Sequence, residues 1–108
     1  MNYILKIDEK FATQMFHQMG GKDVEYRKQN KSYIHDGDTI TFINLQSTFV
    51  YGSAKVKKVC FIEKHKMDEP RQNSPKWYKD TYEFVKENYK DERILVQLYL
   101  EDIVEDNK

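Results

Sequence analysis

The sequence has little cysteine, and this scarcity excludes two common ways of stabilising a small protein. Cys60 is the only cysteine among the 108 residues, so no internal disulfide can form. His17, His35 and His65 lie far apart, and no Cys/His cluster has the spacing of a zinc site. We therefore expect no metal site and no bound cofactor. Cys60 alternates with apolar residues, which is typical of a buried, inert thiol.

Long hydrophobic runs are also missing. No stretch approaches the roughly 18 apolar residues that a membrane-spanning helix needs. The segment 1–7 lacks the long apolar core of a signal peptide. These absences predict a cytoplasmic protein with no membrane partner. Proline is scarce too, and both prolines fall in the charged, aperiodic segment 64–75, which is expected to be an exposed connection.

The chain has no net charge, but its charges are unevenly distributed. Residues 1–66 carry 11 Lys/Arg against 7 Asp/Glu, a balance of +4, and residues 67–108 carry 7 against 11, a balance of −4. Such polarity can produce the basic face that a nucleic acid or a nucleotide phosphate requires. An ordinary solvated surface with arbitrary charge placement explains the same counts.

Aromatic residues are what the sequence has in excess, with eight Tyr, six Phe and one Trp. They can fill a small core, and they can also stack on a base. The candidates for stacking are Tyr33, Tyr51, Trp77 and Tyr78. Trp77 stands at helical spacing from other apolar residues, which favours packing in the core. Tyr33 and Tyr51 stand in polar or loop surroundings.

The first third of the chain indicates a strand, a helix and a second strand. Residues 2–7 predict a short buried strand, and Asp8 can cap a helix over 9–19. Gly20 and Gly21 are expected to end that helix, because glycine readily adopts the left-handed conformation of a helix terminus. Residues 24–27 alternate as a half-buried strand. The apolar stripe of the helix comprises Ala12, Met15 and Met19, widened by Phe11 and Phe16.

The remainder predicts three more strands and a second helix. The strands cover 39–44, 49–62 and 94–100, and a β-bulge at Lys57 and Lys58 would explain why the inward parity changes from Ala54 and Val56 to Val59 and Phe61. Ser74 and Pro75 indicate the cap and first turn of the second helix. Its buried stripe is predicted to comprise Trp77, Thr81, Phe84, Val85 and Asn88.

The order of elements predicts an α+β domain over 1–100, followed by an acidic, fraying tail over 101–108. Several connections between strands are too short for a parallel crossover, which favours a mixed or antiparallel sheet. Five to six short strands would leave exposed edges, and curling into a small β-barrel with two helices would remove them.

One short stretch brings acid and base together. Lys22, Glu25 and Arg27 follow Gly20 within a turn and a strand, and period-two alternation points Glu25 and Arg27 to the same side. A partly buried Lys22 could act as a proton acceptor in catalysis. Arg27 could donate two parallel hydrogen bonds to a phosphate or to the edge of a nucleobase, and Glu25 could accept a hydrogen bond from an exocyclic amine. Alternatively, the three form an exposed ion-pair cluster worth at most about 1 kcal/mol per pair.

These residues match the Gly-x-Lys-x-x-Glu-x-Arg signature of the ASCH family, so the chain resembles ASCH domains. A second stretch, 35–42, is similar to the family's Gly-Asp turn entering an apolar strand. The resemblance implies a PUA-like barrel with a cleft at the motif, and binding of RNA or of modified nucleosides and nucleotides. Lys22, Glu25 and Arg27 would then contact the ligand.

The resemblance also implies two enzymatic alternatives. Some relatives are amidohydrolases of acylated cytidine, in which Lys22 would be the activating base, but they use a Thr nucleophile where Glu25 stands here. They use a later Glu as well, for which Glu63, Asp68 or Glu69 could substitute. For relatives with proposed ribonuclease activity, Lys22 and Glu25 would serve as general acid and base.

The sequence thus predicts an ASCH-like module that binds RNA or a nucleoside through Lys22, Glu25 and Arg27. Tyr33, Lys57 and Lys58 are further candidates for ligand contact, since a tyrosine can stack on a base and lysines can neutralise phosphates. The alternatives are a small hydrolase that uses the same cleft and a non-enzymatic module that binds another protein.

Overall fold

The structure, a computed structural model, describes residues 1–17 and 20–106. In this part of the chain the strands are β1 (Asn2–Ile7), β2 (Val24–Lys28), β3 (Thr39–Asn44), β4 (Val50–Glu63) and β5 (Ile94–Glu105). The two α-helices are α1 (Glu9–Phe16) and α2 (Lys76–Asn88), and single 3-10 turns cover Gln29–Lys31 and Lys64–Lys66.

The five strands form one mixed sheet in the order β1-β3-β4-β5-β2. β1 pairs with β3 in parallel, and the other three pairings are antiparallel. The sheet curls into a half-barrel and, with the two helices, gives a PUA-like α+β fold, which confirms the predicted fold class. The curl brings the edge strands β1 and β2 within reach of each other, and the guanidinium of Arg27 on β2 donates to the carbonyl of Lys6 on β1 at 2.8 Å.

Helix α1 begins as predicted but ends early. The Asp8 carboxylate accepts from the Lys10 N–H at 2.9 Å and so satisfies one of the free donors of the first turn. The helix ends at Phe16, because the backbone of His17 is extended. The sequence predicts a helix as far as residue 19, and this prediction is wrong for His17. Met19, assigned to the apolar stripe, lies outside the described residues.

Helix α2 also differs from the prediction at its start. Pro75 occupies the N-cap position, and the side chain of Ser74 accepts instead from the Arg71 N–H at 2.8 Å. The predicted cap at Ser74 is therefore wrong by one residue. The predicted buried stripe is confirmed at Thr81 and Val85, which are buried, and Trp77 and Phe84 are half-buried. It is wrong at Asn88, which is exposed in the last turn of the helix.

The bulge in β4 is confirmed by a shift in the pairing register with β5 between Val56 and Lys58. Beyond it, Val59 packs against the main core as expected, but Phe61 is 57% exposed, so its predicted inward orientation is wrong. The covered side chain there is Ile62, on the opposite face, which packs against a second cluster around Met67. Cys60 is half-buried rather than buried.

The last strand is longer than the sequence predicts. Its residues 101–105 continue the ladder with β4, for example Glu101 opposite Lys55 and Glu105 opposite Gly52. The prediction of a fraying tail from residue 101 is therefore wrong, because backbone pairing with a distant strand holds this acidic segment in place.

Two apolar clusters cover opposite sides of β5. Val96, Leu98 and Leu100 belong to the main cluster, and Leu95 belongs to the second one, beneath α2. The neighbouring strand β2 is enclosed in the same way, and its first three residues are all buried. The prediction of a half-buried strand is wrong for this reason. Glu25 thus lies in the interior.

Candidate functional site

A tight turn after α1 delivers Lys22 to the interior. The backbone N–H of Lys22 donates to the carbonyl of Gln14 in the helix at 2.9 Å. Gly20 crosses the same carbonyl so closely that a Cβ there would lie 1.9 Å from the Gln14 oxygen. Gly21 has φ +70°, a left-handed conformation that favours glycine. The turn therefore requires glycine at both positions, for different reasons.

The Lys22 ammonium is enclosed by three acceptors. Its Nζ lies 2.6 Å from the Val24 carbonyl, 3.2 Å from Glu25 Oε1 and 3.4 Å from Thr81 Oγ1. Lys22 as a whole is 1% exposed. A protonated lysine has three N–H donors, so this environment can satisfy all of them.

Two aromatic rings complete the surroundings of this ammonium. Its Nζ lies 5.6 Å from the ring centroid of Phe11 and 5.3 Å from that of Trp77, distances at which a cation is attracted to a ring face. Burial lowers the pKa of Lys22, and the nearby Glu25 carboxylate opposes this effect without cancelling it. Trp77 is half-buried and packs against the second apolar cluster, as the sequence favours, and it also lies beside the Lys22 ammonium.

The Glu25 carboxylate joins the two basic residues. Its Oε1 faces Lys22, and its Oε2 accepts from Nε and Nη2 of Arg27 at 2.8 and 2.5 Å. The Arg27 guanidinium reaches across to the Lys6 carbonyl through the same Nη2. Within residues 1–17 and 20–106, its Nη1 has no hydrogen-bond partner. Only part of the guanidinium is committed to the fold.

Lys22, Glu25 and Arg27 border a concave space of about 190 Å³, which we call the motif cavity. The convergence that the spacing of the motif predicts is thus present. The cavity lies between β1, β2, the start of α1 and the middle of α2. Its lining comprises Lys6, Ile7, Asp8, Phe11, Lys22, Glu25, Tyr26, Arg27, Leu45, Thr81, Phe84, Val85 and Tyr89.

The other candidate ligand contacts lie elsewhere. Tyr33 packs edge-on against Tyr3, with ring centroids 4.9 Å apart, and is 42% exposed. Lys57 and Lys58 are exposed at the bulge of β4. None of the three lines the motif cavity. Their contact with a ligand stays a prediction, and it would require a ligand that extends beyond the cavity.

The acidic residues considered as substitutes for the later Glu do not line the motif cavity either. Glu63 lies 3.3 Å from His65 and 3.6 Å from Lys66 at the surface. Asp68 and Glu69 border a separate polar groove of about 660 Å³. The acid nearest to Lys22 is therefore Glu25 of the motif itself.

Sequence reasoning missed the contribution of α2 and of its C-cap residue, Tyr89, to the site. Thr81 and Tyr89 line the cavity, and Thr81 contacts Lys22 directly. Thr81 is a polar residue that stands among Trp77, Phe84 and Val85 in the predicted buried stripe of the helix, and this was the available sequence signal. Burial raises the pKa of Tyr89, so its hydroxyl stays protonated. Lys6 and Leu45 also line the cavity and are exposed, so they lie at its opening, which we call its mouth. No local sequence pattern marks either residue as part of a site.

The pH dependence of stability should reflect Glu25. Burial would raise the pKa of this carboxyl, but Arg27 and Lys22 outweigh that effect and hold the pKa below its ordinary value. Because the unfolded chain binds the proton more readily, the stabilisation is present above the unfolded pKa of about 4.3 and is lost as the pH falls through the folded pKa.

We therefore expect unfolding in urea to become easier below about pH 4, and the NMR titration midpoint of the Glu25 carboxyl carbon to lie below about 4.3. A midpoint above that value would show that burial prevails over the two cations.

Two classes of feature are absent from residues 1–17 and 20–106. No group of three or more His, Cys, Asp or Glu side chains is placed to hold a metal ion. Neither helix of this part of the chain has the length and apolar character needed to cross a membrane.

Comparison with known proteins identifies the fold. No family model and no curated protein matches the sequence. Among solved structures, the ASCH protein from Zymomonas mobilis superposes with a TM-score of 0.60 at 15% identity, covering 94% of this chain and 68% of that one. The hypothetical protein PH0355 gives 0.61 at 15% identity, covering 94% and 98%.

Protein EF3133 from Enterococcus faecalis V583 gives a TM-score of 0.61 at 15% identity, covering 96% of this chain and 80% of that one. At this level of identity the likeness concerns the fold alone. It agrees with the resemblance that the motif suggests, and it extends over nearly the whole chain. The protein is therefore an ASCH-like module in its fold.

Proposed function

We propose that this protein binds RNA or a nucleoside by holding one base in the motif cavity. The observation that carries the proposal is the convergence of Lys22, Glu25 and Arg27 on a concave space whose remaining walls are largely apolar and aromatic. A few convergent polar groups in an apolar pocket are typical of small-molecule sites.

The size of the cavity supports a ring rather than a larger ligand. Its volume of about 190 Å³ is below the roughly 300–1,000 Å³ of sites that enclose drug-sized molecules. Phe84 of α2 and Tyr89, the residue that follows the helix, supply aromatic surface beside it. A single base could enter, and its sugar and phosphate would stay at the mouth, where Lys6 is exposed.

The geometry favours binding over hydrolysis. A general base must have a lone pair that can reach the proton it removes. Lys22 is enclosed by three acceptors, and its side chain is 0% exposed. Its pKa is lowered, but its nitrogen lies behind Glu25 and Thr81. A role in holding the carboxylate and shaping the cavity fits this position better than proton transfer to a ligand.

Arg27→Ala tests the proposal. We expect fluorescently labelled single-stranded RNA of mixed sequence, or one of the four ribonucleosides, to bind at low salt. Arg27→Ala should weaken binding at least about tenfold, since a hydrogen bond from a charged group is worth about 1.5–3 kcal/mol. Fluorescence anisotropy for RNA and calorimetry for nucleosides provide the measurement.

Arg93→Ala is the matched control, because Arg93 is exposed and lies outside the motif cavity. It should bind like the wild type. Circular dichroism must show both variants folded. The proposal fails if wild-type protein binds neither RNA nor any nucleoside at low salt, or if the two variants lose affinity equally.

A further inference from the structure

The Glu25 carboxylate, the buried acceptor of the motif cavity, is largely occupied. A carboxylate offers about four lone-pair positions. Glu25 uses three of them, one toward Lys22 and two toward Arg27. All three partners are N–H donors of charged groups, and such bonds are stronger than those between neutral groups. An exocyclic amine of a ligand would have to compete with them.

The hydrogen-bond donors, in contrast, are partly free. Nη1 of Arg27 carries two N–H groups without a partner in residues 1–17 and 20–106. The Thr81 hydroxyl accepts from Lys22, and its own hydrogen has no acceptor in that same part of the chain. Both residues line the cavity. The interior of the site therefore offers more donors than acceptors.

The other polar groups of the lining do not reverse this balance. Asp8 is exposed at the mouth, and one of its oxygens already caps α1 through the Lys10 N–H. The Tyr89 hydroxyl can both donate and accept, so it does not distinguish between ligands. Lys6 is exposed, and its ammonium can only donate.

We infer that the motif cavity selects bases that present carbonyl acceptors, uracil or guanine, over bases that present an exocyclic amine at the corresponding position, cytosine or adenine. This inference rests on the proposed function and specifies its ligand class. It reverses the role that the sequence suggests for Glu25: the carboxylate orients Arg27 and Lys22 and does not itself read the base.

Uridine and cytidine provide the sharpest comparison, because their rings have nearly the same size and differ in carbonyl against amine. Calorimetry with these two nucleosides, and anisotropy with labelled pentamers of each, should give at least about tenfold tighter binding of uridine, the discrimination that one good polar contact supplies. Guanosine should likewise bind more tightly than adenosine.

Arg27→Lys tests whether the preference for uridine depends on the free Nη1 donors or on the positive charge alone. It retains a cation beside Glu25 but lacks the Nη1 donors, so the preference for uridine should fall to about threefold or less. Arg93→Lys, the same change at an exposed position outside the cavity, should keep the full preference. A preference retained in Arg27→Lys would overturn the assignment to Nη1.

The outcomes distinguish failure of the inferred base preference from failure of the proposed function. Equal binding of uridine and cytidine, or tighter binding of cytidine, overturns the inferred ligand class and leaves the proposed base-binding function in place. Binding of none of the nucleosides or pentamers overturns both.

Discussion

Glu25→Gln should lower the free energy of unfolding by about 3–5 kcal/mol, the usual cost of removing one partner from a buried charge cluster. The substitution keeps the shape of the side chain but leaves two cations, Lys22 and Arg27, without their shared counter-charge. Lys22 is the more severely affected, because no bulk water reaches its ammonium. Urea unfolding at pH 7 provides the measurement.

Lys22→Met is the informative comparison. Methionine retains most of the buried volume, and the ion pair between Glu25 and Arg27 remains, so the expected cost is smaller, about 1–3 kcal/mol. The double variant should cost less than the sum of the two single variants, since both remove the same contact.

Lys76→Met serves as the control, because Lys76 pairs with Asp80 at the surface and such pairs contribute about 0–1 kcal/mol. If Glu25→Gln cost no more than Lys76→Met, the buried cluster would not be what holds the site together.

Gly20→Ala is expected to be the second severe substitution. Its Cβ would lie 1.9 Å from the Gln14 oxygen and 2.4 Å from the Gln14 carbonyl carbon. Both atoms belong to the backbone of α1, so no side-chain rotation relieves the overlap. We expect a loss of about 3 kcal/mol or more, the upper end of overpacking costs.

The same substitution should displace Lys22, whose N–H donates to that carbonyl. Base binding should therefore weaken along with stability.

Gly21→Ala separates crowding from backbone conformation. A Cβ at Gly21 meets nothing within 4 Å, and the cost comes from its φ of +70° alone. A left-handed conformation costs a non-glycine residue about 1–2 kcal/mol. Equal losses for the two variants, measured by urea unfolding, would contradict the close approach of Gly20 to α1.

The sequence pattern predicted the part of the site that is formed by residues close together in the chain. Alternation along one strand places Glu25 and Arg27 on the same side, and this follows from the geometry of an extended backbone. The position of Lys22 in a turn was not fixed by alternation. It depends on how the turn packs against Gln14, a contact that no periodicity encodes.

The other half of the site depends on how distant elements dock. Lys22 and Thr81 contact each other across 59 residues of sequence, so the helical spacing of α2 showed which face is buried but not what it faces. The extension of β5 was missed for a similar reason. Residues 101–105 are acidic and resemble a tail, and only their pairing with β4 reveals a strand.

The bond from Arg27 to the Lys6 carbonyl has a consequence for how a ligand enters. Within residues 1–17 and 20–106, no backbone ladder joins β1 to β2, and the hydrogen bond from Arg27 to Lys6 connects these two edge strands through a rotatable side chain. Separating β1 from β2 at this point would break that hydrogen bond and leave every strand pairing intact. The same guanidinium borders the cavity, so under the proposed function the binding of a base and the bond between the two edge strands would depend on one side chain.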